Sequence, residues 1–350
     1  MSDTTQIEDE ARSGQSAGPA SDHQVVPFRR KRSRRPLRVA LITLGSLLCL
    51  VIVAVIGSYA YVNHAMSSIQ RLRVADLVAP VTPSTLDGQT FLITSYPVGP
   101  TGASTVQQVQ SGASNLVMLF HTNANGVGGG AVTLPGDVRV TVPGHGNEPL
   151  WDAMQKGSPS LLVQTITKLT GVSINHYARL DFTHIAGLVN AIGGVEVTVP
   201  AATKGFGYKF VKGVNNLTGV TAIYYARDPT VKGQDRLLRQ ENLVRAVFTK
   251  IANDHLLTNP VTMVHVLKAI TSMLAVDSNF TNSDIESLVS QFGSLAADAG
   301  TFVTAPTLTV GTNLVPNPAL DAQLWTAIKH DSIAAYAKKY PSTVMPLAAP

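Results

Sequence analysis

Residues 39–62, VALITLGSLLCLVIVAVIGSYAYV, hold no charged side chain. A helix over this run reaches about 36 Å at 1.5 Å per residue, against a bilayer hydrocarbon core of about 30 Å. The run predicts a transmembrane helix. Arg29, Arg30, Lys31, Arg32, Arg34, Arg35 and Arg38 crowd its N-terminal flank, and the following YVNHAMSSIQ carries no basic Lys or Arg. The positive-inside rule then places the N-terminus in the cytoplasm and everything after residue 62 outside the membrane. Ser58-Tyr59-Ala60 offers a small-x-small cleavage pattern, but the apolar run is longer than a signal-peptide core, so anchoring ranks ahead of cleavage.

This anchor divides the chain. Residues 1–38 form a basic tail without apolar periodicity, expected to be disordered. Residues 39–62 span the membrane, residues 63–85 lead outward as a stalk, and residues 86–340 form one extracytoplasmic domain. Of the net charge of +5, the tail carries +3 and the remainder +2. The basic balance is therefore a topology signal, and it leaves no footprint for nucleic acid. The single cysteine, Cys49, lies in the apolar run, so the external domain has no disulfides and no thiol chemistry.

Within that domain, β-branched runs closed by Gly, Pro or Asn predict strands at 90–94, 115–122, 131–134, 137–142, 177–182, 195–199 and 302–310. Helical patterns cover 159–169, 183–192, 219–226, 234–254, 261–274, 284–297 and 319–330. Ser158 and Pro159 suit the N-cap and first turn of the first of these, and Ser283 with Glu286 suggests a capping box for the helix from 284. Strands interleaved with helices predict an α/β sandwich, a mixed central β-sheet flanked by helices and preceded by one transmembrane helix. The GVGGG run at 126–130 reads as a hairpin turn, since no GK[ST] follows it. His121, His145, His176 and His184 lack metal-ligand spacing.

The stretch from Ser158 to Pro200 resembles the LytR-CpsA-Psr family of bacterial cell-envelope proteins. Asp181-Phe182, Leu188-Val189, Gly193-Gly194-Val195 and Val197-x-Val199-Pro200 match the family pattern in order and spacing. Leu217-x-Gly219 with Ala222, Tyr225 and Arg227 is similar to the family's L-x-G-x-x-A-L-x-Y-x-R helix. Arg236-x-x-Arg239-Gln240 matches its R-x-x-R-Q, and the late helix with Leu324-Trp325 fits its last element. The resemblance implies a phosphotransferase outside the membrane, moving a glycopolymer from a polyprenyl-pyrophosphate carrier to peptidoglycan. It also implies an apolar channel for the lipid, arginines on the pyrophosphate and a Mg²⁺ ion held by two carboxylates.

On a helix, Arg236, Arg239 and Gln240 share one face beside the apolar stripe of Leu237, Val244, Phe248 and Ile251, a phosphate-binding rim next to an apolar cavity. With Arg227 they make the expected pyrophosphate set, and Asp137 and Asp235 are supporting candidates. Asp137 follows Pro135-Gly136, where Asp is favoured for turn formation. The family's metal-binding G-x-D falls at Thr94-Ser95-Tyr96 and its R-x-D at Ala113-Ser114-Asn115, where no carboxylate is present. Mg²⁺ is thus implied by the family while its usual carboxylates are missing, which opens a second expectation, a homologue that binds polyprenyl phosphates or modulates active paralogues with little or no transfer.

Overall fold

The computed structural model describes residues 63, 64, 66–79, 88–95, 116–126, 128–181, 184–227, 231, 233–256, 259–285, 287 and 301–346. The tail at 1–38 and the apolar run at 39–62 lie outside them. Among the described residues no helix is long and apolar enough to cross a membrane.

The strands, in chain order, are β1 (Gln70–Leu72), β2 (Thr90–Ser95), β3 (Val117–Thr122), β4 (Gly129–Leu134), β5 (Arg139–Val142), β6 (Gly146–Pro149), β7 (His176–Leu180), β8 (Val195–Val199), β9 (Thr203–Gly205), β10 (Tyr208–Phe210), β11 (Gly213–Leu217), β12 (Leu274–Asp277), β13 (Phe302–Thr304), β14 (Thr307–Val310) and β15 (Asn313–Pro316). The helices are α1 (Leu150–Thr170), α2 (Ile185–Ala191), α3 (Gly219–Arg227), α4 (Gly233–Asn253), α5 (Pro260–Met273), α6 (Pro318–Lys329) and α7 (Ile333–Lys339). Seven strands form one sheet in the order β1-β12-β7-β2-β3-β4-β13. The β1/β12, β7/β2 and β4/β13 pairs are parallel and the rest antiparallel, so the sheet is mixed, as expected.

Alternation along β2 and β3 splits the core into two layers. Phe91, Met118 and Phe120 point to one face, where Leu188 of α2, Tyr225 of α3, Val244 of α4 and Val266 of α5 cover them. Leu92, Leu119 and Tyr177 point to the other, under Leu162 of α1, Leu324 of α6 and Ile333 of α7. Each of these side chains is buried, and each aliphatic one contributes about 1.5–3 kcal/mol relative to exposure. Helices on both faces of a mixed sheet make the predicted sandwich.

Several local expectations need correction. In the segment expected to be a stalk, Gln70–Leu72 pairs in parallel with β12, and Met66 and Ile69 are buried. The fold therefore begins well before residue 86, because β12 offers an open sheet edge. The predicted strand at 302–310 is two strands: β13 ends before Ala305-Pro306, and β14 then pairs with β15. Pro306 has no N–H to continue the ladder. At Ser158 the backbone leaves helical geometry (φ 85°) and Pro159 reopens the helix, so α1 extends N-terminally beyond the prediction with a kink. The capping box sits two residues earlier than expected: Thr281 N and Oγ1 donate to Asp284 Oδ2 at 2.6 and 2.8 Å, and Asp284 N donates to Thr281 Oγ1 at 3.3 Å. Glu286 lies outside the described residues.

Two histidines are structural. His121 Nε2 meets Asp331 at 2.8 Å, and His176 Nδ1 meets Asp277 at 3.2 Å. Burial opposes ionisation of Asp277, but hydrogen bonds from His176 and the Tyr177 N–H hold its carboxyl below the usual range.

The Leu217-x-Gly219 motif has a packing reason. Gly219 opens α3 against α2, its N–H donating to Asn190 Oδ1 at 2.9 Å. A Cβ there would lie 2.3 Å from the Ala186 carbonyl oxygen, a backbone atom that cannot swing aside. Gly219→Ala should therefore cost about 1–3 kcal/mol of stability. Urea unfolding of the two chains measures it; equal midpoints would contradict this packing.

Candidate functional site

The residues expected to bind phosphate meet where α3 ends and α4 begins. Arg239 and Gln240 come from the second turn of α4, and both reach back to the carbonyl end of α3. Arg239 Nη1 donates to Tyr225 O at 3.5 Å, Arg239 Nη2 to Thr203 Oγ1 at 3.0 Å, and Gln240 Nε2 to Ala226 O at 3.1 Å. The last carbonyls of a helix have no partner within it and carry its negative dipole end, so a guanidinium is well placed there. The Arg239 guanidinium also stands over the Tyr225 ring, 5.3 Å from its centroid.

This geometry changes the picture of an open rim. Arg239 is only 1% exposed and Gln240 is equally buried, so both brace the joint. Arg236, half-buried, donates from Nε to Val231 O at 2.8 Å, which holds the chain entering α4. Arg227 is the last residue of α3; its side chain lies outside the described residues, as does Pro229. Asp235 is exposed in the first turn of α4, where the helix dipole favours an acid. Asp137 is exposed on the turn between β4 and β5, away from the joint in sequence and element. The structure thus brings together Arg236, Arg239 and Gln240 with the end of α3, and leaves Asp137 on a turn of its own.

A polar network extends the joint along α4. Asn242 Nδ2 donates to Tyr225 Oη at 3.1 Å, and Arg245 Nη2 donates to Asn242 Oδ1 at 2.8 Å and Pro346 O at 3.0 Å. Burial raises the Tyr225 hydroxyl pKa, so it stays protonated. Asn242 and Arg245 also face a cleft of about 730 Å³ between α4 and the β8/β11 pair, lined by Thr198, Asn216 and Lys250 among others. Its lining is mixed, with Val195, Val214 and Leu217 beside the polar groups. On the sheet face under α4, the side where an apolar channel was expected, Phe120 packs against Phe91 and Phe248, with ring centroids 6.2 and 6.1 Å away.

Sequence reasoning passed over Glu241. It stands in the gap of the apolar stripe already noted, one turn after Leu237 and three residues before Val244, and an acid at that spacing was a readable signal. The side chain is 0% exposed, and among the described residues only the Thr133 hydroxyl approaches its carboxyl as a hydrogen-bond donor, outside good hydrogen-bond geometry. Burial pushes its pKa from 4.5 up to about 7, while the nearby Thr133 hydroxyl and Arg245 pull it down.

The donor set does not fit the Mg²⁺ ion that the resemblance implies. Thr94 Oγ1 is engaged with Tyr177 Oη at 2.8 Å, and Ser95 Oγ accepts from Leu116 N at 3.2 Å. Both hydroxyls serve the sheet, and neither supplies the carboxylate a divalent ion needs. Tyr96 and Asn115 lie outside the described residues. Among the described residues no three His, Cys, Asp or Glu side chains converge on one point.

Comparison with known proteins places this geometry. The model of the LytR_cpsA_psr family matches residues 86–335. Cell wall biosynthesis protein LcpA of Corynebacterium glutamicum is 29% identical over 154 residues, 43% of this chain and 29% of that protein. The polyisoprenyl-teichoic acid–peptidoglycan teichoic acid transferase TagU of Enterococcus faecalis is 28% identical over 178 residues, 49% of this chain and 57% of that protein. The matches to these relatives thus span well under two thirds of their length. Among solved structures, a LytR-Csp2A-Psr enzyme from Actinomyces oris superposes with a TM-score of 0.54 at 21% identity, covering 76% of this chain and 96% of that one. TagT bound to LI-WTA superposes with a TM-score of 0.54 at 19% identity, over 74% of this chain and 96% of that one. These likenesses show the same fold.

Proposed function

The chain belongs to the LytR_cpsA_psr family, and from that premise we propose that it serves cell-wall assembly on the outer side of the membrane. In this reading it is held at the membrane by the apolar run at 39–62, engages a polyprenyl-pyrophosphate-linked glycan and passes the glycopolymer to peptidoglycan. The observation that carries this reading is the joint of α3 and α4. Arg236, Arg239 and Gln240, a family motif, are fixed there by hydrogen bonds to Val231, Tyr225 and Ala226. Transfer of this kind needs cationic donors held in place before charge develops on the leaving phosphate, and rigid arginines supply that.

In the reaction, an acceptor hydroxyl oxygen bonds to the phosphorus that carries the glycan. The bond from that phosphorus to the polyprenyl phosphate breaks, and the hydroxyl proton is released. Arg236, the less buried of the two motif arginines, is the residue we assign to the pyrophosphate charge, together with Arg227, the last residue of α3. Arg239 and Gln240 position both. The described residues do not supply a ligand set for Mg²⁺.

A second reading, binding without transfer, draws on that same donor set. A transfer assay with a lipid-linked glycan donor and purified peptidoglycan separates the two. Under the first reading the full chain turns over and Arg236→Ala lowers the rate about 100-fold. Absent turnover with donor binding intact selects the second.

A further inference from the structure

Between β9 and β10 the chain reverses through Phe206 and Gly207, at φ 48° and 81°. Two residues at positive φ make a type I′ hairpin turn, in which Asn at the first position is favoured and a bulky aromatic is strained. Phe206 holds that position with 54% of its surface exposed, its ring 5.5 Å from that of Tyr224. Tyr208 is 43% and Val211 59% exposed on the same hairpin. Asn215 ties its outgoing end, accepting from Val211 N at 2.9 Å and donating to Val211 O at 2.8 Å.

The charge on this hairpin has one sign. Lys209 lies directly across from Lys204 in the antiparallel register, a like-charged pair that is unfavourable unless an anion faces it. Lys212 follows on the exit. Residues 197–227 contain no Asp or Glu, and among the described residues none of the three lysines forms an ion pair. A second copy of the same hairpin would meet this charge with its own. Exposed aromatic rings flanked by lysines fit the headgroup layer of a membrane, where rings enter the interface and lysines meet phosphates.

We propose that the β9–β10 hairpin docks on the anionic headgroups of a lipid bilayer. The inference goes beyond the function proposed above and stands on the hairpin alone. Its base is joined to the candidate site, because Thr203 of β9 accepts from Arg239 Nη2 at 3.0 Å. Docking therefore sets the height of the α3–α4 joint over the headgroups.

The test uses the full chain in nanodiscs, with Cys49→Ser removing the native thiol and a spin label placed by Tyr208→Cys. A label placed by Val310→Cys, on the exposed strand β14, serves as reference. In discs containing phosphatidylglycerol the label at 208 should collide with oxygen in preference to a water-soluble nickel chelate, while the label at 310 behaves as in water. In phosphatidylcholine discs the preference at 208 should fall toward that of the reference. Phe206→Asn keeps the turn, since Asn-Gly is its favoured pair, and should return the label at 208 to water; so should Lys204→Gln, Lys209→Gln and Lys212→Gln combined. A water-exposed label at 208 in phosphatidylglycerol overturns the proposal. Shielding from both oxygen and nickel also overturns it, by placing the hairpin against protein.

Discussion

Replacing Glu241 with Gln is expected to stabilise the protein at pH 8 by about 3 kcal/mol and to leave it nearly unchanged at pH 4.5. The carboxyl titrates at about 7 in the fold against an ordinary 4.5. Between those values the folded chain keeps a proton that the unfolded chain releases, so folding stability falls as pH rises through this window. Well above pH 7 the full cost is present, because an anion then sits in the core and the Thr133 hydroxyl and Arg245 offset only part of its lost hydration. Gln carries no charge to bury, although its amide must still find partners, which makes the gain an upper bound. Urea unfolding of both chains in detergent at several pH values reads the effect. Asp321, whose carboxyl burial also pushes up to about 7, contributes equally to the two profiles, so their difference belongs to Glu241. Parallel profiles would contradict the burial described for this residue.

Arg239→Ala is expected to destabilise the fold by about 3–5 kcal/mol, more than Arg236→Ala by several-fold. The larger cost follows from burial. Removing the Arg239 side chain leaves the Tyr225 carbonyl and the Thr203 hydroxyl without this donor, strips the Tyr225 ring of its cation and opens a cavity between α3 and α4. Arg236 is partly solvated, and water replaces its contact to Val231. Thermal unfolding compares the two variants directly. If Arg236→Ala proved the more destabilising, the division between a positioning and a ligand-facing arginine would be reversed.

The parts of this fold that show in the sequence are those whose period is local. The alternation of Phe91, Leu92, Met118, Leu119 and Phe120 is the two-faced core itself, and the stripe on α4 gives its sheet-facing side. Strands such as β1, β9, β10 and β12 are too short to carry a period; they exist because a partner edge is present, and no window of sequence contains that partner. Thr281 and Ser283 are equally good caps in isolation, so no local signal separates the observed Thr281–Asp284 box from one at Ser283. For the site, the R-x-x-R-Q spacing was legible, and so was its likeness to a family. The burial of Arg239 was not, because the Tyr225 carbonyl it meets lies fourteen residues back on another helix. Glu241 was legible in principle as an acid in an apolar stripe. The aromatic hairpin was not, since its strands have neither alternation nor length.

The central claim is that this chain carries polyprenyl-linked phosphate at the α3–α4 joint. Native mass spectrometry of the full chain, extracted from membranes in mild detergent, tests it most directly. The expected result is a bound species with the mass of a polyprenyl phosphate or pyrophosphate, retained by Glu241→Gln and lost from a folded Arg236→Ala chain. A full chain that carries no such lipid even when polyprenyl pyrophosphate is supplied, or an Arg236→Ala chain that holds it as well as the parent, would contradict it.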